Sequence, residues 1–170
     1  LGQPDVRGRA LAAGQIAATT LSIGTWAALP GHQALPVLVS VEDYYKAAPV
    51  VSKVNAVTTE TLTSRRAEIE AVITALTLAA RDMAAEPDAW PRAMAKLRPD
   101  VAPDVLAELS RAFQTSWAVN GGLQGPELRQ TADWLFTGEG LAGLTPPEVS
   151  AWADFGPLDA VLKRIGIAEG

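Results

Sequence analysis

The chain has 170 residues, 48% of them hydrophobic and 19% charged, with a net charge of −5; this composition supports a folded core and argues against disorder. Its fourteen Lys and Arg are scattered rather than striped, which argues against a nucleic-acid or anionic-membrane surface and leaves an acidic ligand dependent on local positive charge. Cysteine is absent and histidine occurs once, as His32, so disulfides, thiolate catalysis and multi-histidine metal sites are excluded, while no apolar run approaches the ~20 residues of a membrane span.

In chain order, Val6 to Ala13 reads as a short helix stopped by Gly14, a residue suited to a helix C-terminus. The β-branched Ile16, Thr19 and Thr20, followed by Ser22 and Gly24, predict a strand from Ile16 to Thr20. Ile23 to Leu29 reads as a short helix closed by Pro30 and Gly31. Two further strands are expected. "ALPVLVSV", Ala34 to Val41, is nearly continuously apolar, as a strand covered on both faces would be; "PVVSKVNAVTTE", Pro49 to Glu60, carries Ser52, Lys53 and Asn55 and reads as edge-like or as a crossover.

From Thr59 the pattern turns helical. Ile69, Val72, Ile73, Leu76, Ala80 and Met83 recur at three- and four-residue steps and predict a long helix from Leu62 to Ala85. Helices are then expected over Asp88 to Leu97, Pro103 to Trp117, Pro126 to Phe136, Pro146 to Ala153 and Pro157 to Ile165, each set off by Pro or Gly. Thr145 and Glu148 have the spacing of a capping box. Three strands near the N-terminus and a helical remainder scarcely make a doubly covered sheet, so further strands are expected upstream or in a partner.

Four features have both a functional and a plain reading. "TGEGLAG", Thr137 to Gly143, matches a Gly-x-Gly-x-x-Gly pattern with Asp159 downstream, yet a helix precedes it and Pro146 and Pro147 follow, so an interhelical loop is the reading adopted. The acid pairs Asp82/Glu86, Glu42/Asp43 and Asp100/Asp104 read as helix surface and capping. His32 sits in a turn after Pro30 and Gly31 and reads as a solvated loop residue. Of the five tryptophans, Trp90, Trp134 and Trp152 are expected in the core, whereas Trp26 beside Thr25 and Trp117 near Asn120 either line a ligand pocket or pack under a loop.

"RALAAGQIAATTLS", the apolar stretch after it and "NAVTTETLTSRRAEIEAVITALTLAARDMAAEPDAW" resemble the second half of solute-binding proteins of ABC transporters, in the group serving thiamine pyrimidine precursors, nitrate, sulfonates and taurine. The likeness runs over roughly Leu11 to Trp90, and more loosely through "VNGGL" to "DFGPLDAVLKRIG". One departure stands out: the family's acid after Gly-Gln-Ile is Ala17 here.

The resemblance implies an α/β fold, the helix-rich C-terminal segment of a two-lobed periplasmic binding protein. Residues 1–54 would belong to the second, ligand-closing lobe and 55–170 to the return crossover and the helical part of the first lobe, whose N-terminal portion would lie outside this chain. It implies ligand binding rather than catalysis, no cofactor, a permease as partner, and a periplasmic or extracytoplasmic location with the leader already removed. It leaves self-association of such a partial chain open. The ligand would be a small polar or anionic molecule held by Thr19, Thr20, Ser22, Thr25 and Trp26 at a strand end, with Asn55 near the crossover and Trp117 and Asn120 as further candidates. Those hydroxyls could instead bond the following turn. Two alternatives remain: an enzyme resembling the eukaryotic thiamine-pyrimidine synthases, and a helical interaction or sensor module without a small ligand.

Overall fold

The computed structural model describes residues 2–48, 50, 51, 53–122 and 125–169. Among them the fold is helical: α1 (Pro4–Ala12), α2 (Ile23–Ala27), α3 (Val41–Ala47), α4 (Thr59–Ser64), α5 (Arg66–Ala85), α6 (Ala89–Leu97), α7 (Pro103–Phe113), α8 (Gly125–Leu135) and α9 (Gly156–Ile165), with single 3₁₀ turns at His32–Ala34 and Val149–Ala151. The chain divides into two compact units, residues 1–38 with 82–117, and residues 39–81 with 118–170.

The first unit is built on small residues that let helices approach. α1 begins on a proline that pre-sets its first turn and ends by Gly14, whose φ of 68° turns the chain back. α2 packs on α1 and α7, and α7 packs on α6. Their contact buries Gly8, Ala10, Ala27, Leu29, Leu106 and Leu109. Under α6, Trp90 meets Phe113 edge to face with ring centres 5.4 Å apart, a favoured aromatic arrangement.

The second unit is organised by α5 and α9. Arg66 pairs with Glu70 at 3.4 Å and with Asp154 at 3.1 Å, and Arg164 reaches the other Glu70 oxygen at 3.2 Å and Thr74 Oγ1 at 3.1 Å. Deeper in, Thr77, Leu128, Thr131, Ala132, Pro157 and Val161 are buried. Thr131 Oγ1 donates to the Glu127 carbonyl at 2.7 Å and accepts from the Val51 amide at 2.8 Å, so a buried hydroxyl ties the chain after α3 to α8. At the C-terminal end, Arg81 donates to the carbonyls of Val119, Ile165 and Gly166 and to Asn120 Oδ1.

Several expectations are corrected. No strand occurs among the described residues. The stretch from Ile16 to Thr20 is irregular, because Gly14 and the Gln15 amide bonded to the Ala10 carbonyl wrap it back on α1. In Ala34 to Val41 the first residue closes a 3₁₀ turn and the last opens α3, which Ser40 caps by accepting from the Asp43 amide at 3.0 Å. Residues 53–58 are non-helical and exposed, and Thr58 caps α4 by accepting from the Thr61 amide at 3.1 Å; Pro49 and Ser52 of that expected strand lie outside the described residues. Hydroxyl caps thus begin helices where apolar pattern alone suggested strands.

The long helix is interrupted at Arg65, with φ −123° and ψ 34°, leaving α4 and α5. The capping box does not form: Glu148 is extended and pairs with Arg129 at 3.1 Å, and only a 3₁₀ turn follows. Trp134 and Trp152 are 56% and 48% exposed rather than core.

Candidate functional site

The hydroxyl run singled out in the sequence lies in the first unit and acquires a cation there. Because the chain reverses after α1, Arg7 donates through Nε to Thr19 Oγ1 at 3.2 Å and through Nη2 to the Thr20 carbonyl at 3.1 Å, while Nη1 reaches the Gly2 carbonyl at 2.7 Å. Thr20 is exposed and Thr19 half-buried. A guanidinium has five donors in a fixed fork, so donors remain for a ligand beside these contacts. Sequence reasoning missed Arg7, since nothing in a spacing of 12 residues announces a contact made by a glycine turn.

One turn further on, Ser22 caps α2: its Oγ accepts from the Thr25 amide at 3.2 Å and lies 2.9 Å from Thr25 Oγ1. Both hydroxyls are thereby committed to the helix start, the plain reading of such residues. Trp26, half-buried on the same helix, meets His32 edge to face with ring centres 4.4 Å apart. Thr19, Thr20, Ser22, Thr25 and Trp26 therefore follow one short path of chain, with Arg7 bonded at its beginning.

His32 is not the solvated residue expected. It is 5% exposed, with Nδ1 3.0 Å from the Leu29 carbonyl and Nε2 3.1 Å from Glu108 Oε2. Glu108 comes from α7, 76 residues away, so no local signal pointed to this pairing.

The remaining candidates are dispersed. Trp117 is half-buried at the end of the first unit. Asn55 belongs to the second unit, exposed in the extended segment before α4. Asn120, also in the second unit, accepts from Arg81 at 3.1 Å and from the Ala168 amide at 2.9 Å, and donates to the Ala168 carbonyl at 2.8 Å. That set of bonds fixes the C-terminal segment and gives Asn120 a structural part.

Two grooves are shallow. One of about 140 Å³ is lined by Pro87, Asp88, Pro91, Ser110 and Arg111 in the first unit. The other, about 200 Å³ and almost wholly apolar, is lined by Thr131, Leu135, Phe136, Pro147 and Trp152 in the second. Both are smaller than ordinary small-molecule pockets of roughly 300–1,000 Å³, and neither holds a candidate residue. Among the described residues no three His, Asp or Glu side chains come together to hold a metal ion, and no helix is long and apolar enough to cross a membrane.

Two exposed carboxylates are lowered mainly by neighbouring arginines. The Asp100 carboxyl is held below its ordinary value chiefly by hydrogen bonds from Arg98, and Glu68 likewise by Arg65. Compared with known proteins, the chain matches no family model, no curated protein and no solved structure.

Proposed function

We propose that this chain is part of the solute-binding component of an ABC import system, taking a small anionic or polar molecule such as a sulfonate, nitrate, a carboxylate or a pyrimidine precursor. The observation that carries this reading is Arg7 beside Thr19 and Thr20. A chain of net charge −5 needs local positive charge to hold an anion, and a guanidinium beside the Thr19 hydroxyl and the Thr20 carbonyl, with donors to spare, supplies both charge and directed hydrogen bonds.

Support also comes from what is left uncovered. Val37, Leu38, Val39, Val54 and Val57 are more than half exposed, Leu38 reaching 79%. Two-faced apolar stretches of this kind suit strands covered on both sides. In this reading they belong to a two-lobed α/β fold whose remaining strands and first lobe lie outside these 170 residues, the protein works outside the cytoplasm, and a permease receives its solute.

The test is a thermal-shift panel of nitrate, sulfonates, carboxylates and pyrimidines against this chain and against the whole product of its reading frame, each with and without Arg7→Gln. A ligand at ~100 times its Kd adds about 2.7 kcal/mol, a few degrees in Tm for a domain of this size. The expected result is a shift for one chemical class that Arg7→Gln removes. No shift in either protein across the panel overturns the proposal.

A second reading has its own observation. On α5, Val72, Leu76 and Leu78 are exposed, while Ile69, Ile73, Ala80 and Met83 are half-buried. The exposed pair Val72 and Leu76, four residues apart on one face, suits an interaction module whose long helix docks a partner protein. Sedimentation with and without Leu76→Asp decides it: an assembly that the substitution disperses supports docking through α5, and a monomer in both cases removes self-docking.

A further inference from the structure

We propose that residues 166–169 form a strap in the second unit that opens and closes as one piece while α9 stays folded, with Arg81 and Asn120 as its catch. The bonds that hold the strap run to its main chain. Arg81 Nη2 donates to the Gly166 carbonyl at 2.7 Å, Asn120 Nδ2 donates to the Ala168 carbonyl at 2.8 Å, and the Ala168 amide donates to Asn120 Oδ1 at 2.9 Å.

One side-chain amide thereby grips both polar groups of a single residue, as an opposed residue does in an antiparallel ladder. Arg81 also donates to the same Oδ1 at 3.1 Å, which joins the two halves of the catch, and its Nε is anchored on the Val119 carbonyl at 2.8 Å. The catch thus belongs to α5 and to the turn before α8, and it reads the strap without regard to its side chains. Those side chains add little apolar burial. Ile167 is 79% exposed, Glu169 is exposed and only Ala168 is half-buried.

α9 is held by other means. Pro157 and Val161 are buried, and Arg164 bonds Glu70 and Thr74 on α5. Between helix and strap stands Gly166, with φ 78° and ψ 170°, a conformation that a residue with a Cβ adopts only under strain. A Cβ built there meets nothing within 4 Å, so the position favours glycine for its backbone and not for lack of space.

A pivot at Gly166 releases the strap and leaves the buried face of α9 in place. Hydrogen bonds with little apolar burial beneath them belong to the low end of local stabilities, from which moving elements are drawn. The inference concerns residues 166–169 and their catch, and it stands whether or not a solute binds.

Native-state amide hydrogen exchange on the full chain tests it. The Ala168 amide is expected to be protected relative to that of its exposed neighbour Ile167, yet to exchange at least about tenfold faster than the Val161 amide within α9, through an opening that low denaturant does not accelerate. Asn120→Ala is expected to speed Ala168 exchange by about tenfold or more, through the loss of its two bonds, and to leave Val161 protected. Ala168 and Val161 exchanging together with the same denaturant dependence, an unprotected Ala168 in the wild-type chain, or Ala168 protection unchanged in Asn120→Ala overturns the proposal. If Asn120→Ala does not fold, the wild-type comparison of Ile167, Ala168 and Val161 decides alone.

Discussion

Gly8 and Gly121 look alike in the sequence and behave oppositely in the fold. A Cβ on Gly8, within α1, would meet Leu21 and Leu29 at 3.6–3.8 Å, which is ordinary packing. Gly8→Ala is therefore expected to raise stability by about 0.5–1 kcal/mol through helix propensity and added contact, read as an increase in Tm. Gly121 has φ 87° and a built Cβ 2.5 Å from a Leu158 methyl, so Gly121→Ala is expected to lower Tm by strain and collision together. Val161, fully buried on α9, gives the cavity counterpart: Val161→Ala is expected to cost roughly 1–3 kcal/mol in chemical denaturation. At the exposed Arg98–Asp100 and Arg65–Glu68 pairs both carboxyls are shifted downward. Whatever these pairs add is present above about pH 4 and fades as pH falls through the folded values.

At the scale of elements, the helices with strong punctuation were legible, whereas the three expected strands do not occur among the described residues. α1, α6, α7, α8 and α9 lie within a few residues of their expected bounds because Pro, Gly and apolar spacing act locally. Ser40 and Thr58 carry equally local signals, and their caps decide where α3 and α4 begin. An apolar pattern such as Ala34 to Val41 becomes a strand only when another strand pairs with it, and the described residues contain none. Thr58→Ala is expected to shorten α4 and cost about 1 kcal/mol, visible as lost helical signal and lower Tm. Glu70 sits between Arg66 and Arg164 and is 21% exposed, so Glu70→Gln is expected to weaken the α5–α9 contact by about 1 kcal/mol. Of the candidate site, the hydroxyls and Trp26 were legible by residue type. Arg7 and Glu108 were not, because each reaches its partner through the fold rather than through spacing.

At the scale of the whole chain, the buried apolar side chains among the described residues include Ala10, Ala27, Leu29, Leu106 and Leu109 in one unit, and Leu128, Ala132 and Val161 in the other. Meanwhile valines and leucines of residues 37–41 and 54–57 face solvent. Burying such side chains is worth roughly 1.5–3 kcal/mol each, so a chain that leaves them open gains by covering them. Under the proposed function these stretches would pair as strands only within a larger solute-binding fold. Amide hydrogen exchange over residues 37–41 and 53–57, compared between this chain and the whole product of its reading frame, tests it most directly. Fast exchange in this chain and strong protection in the longer protein are expected; fast exchange in both overturns the proposal.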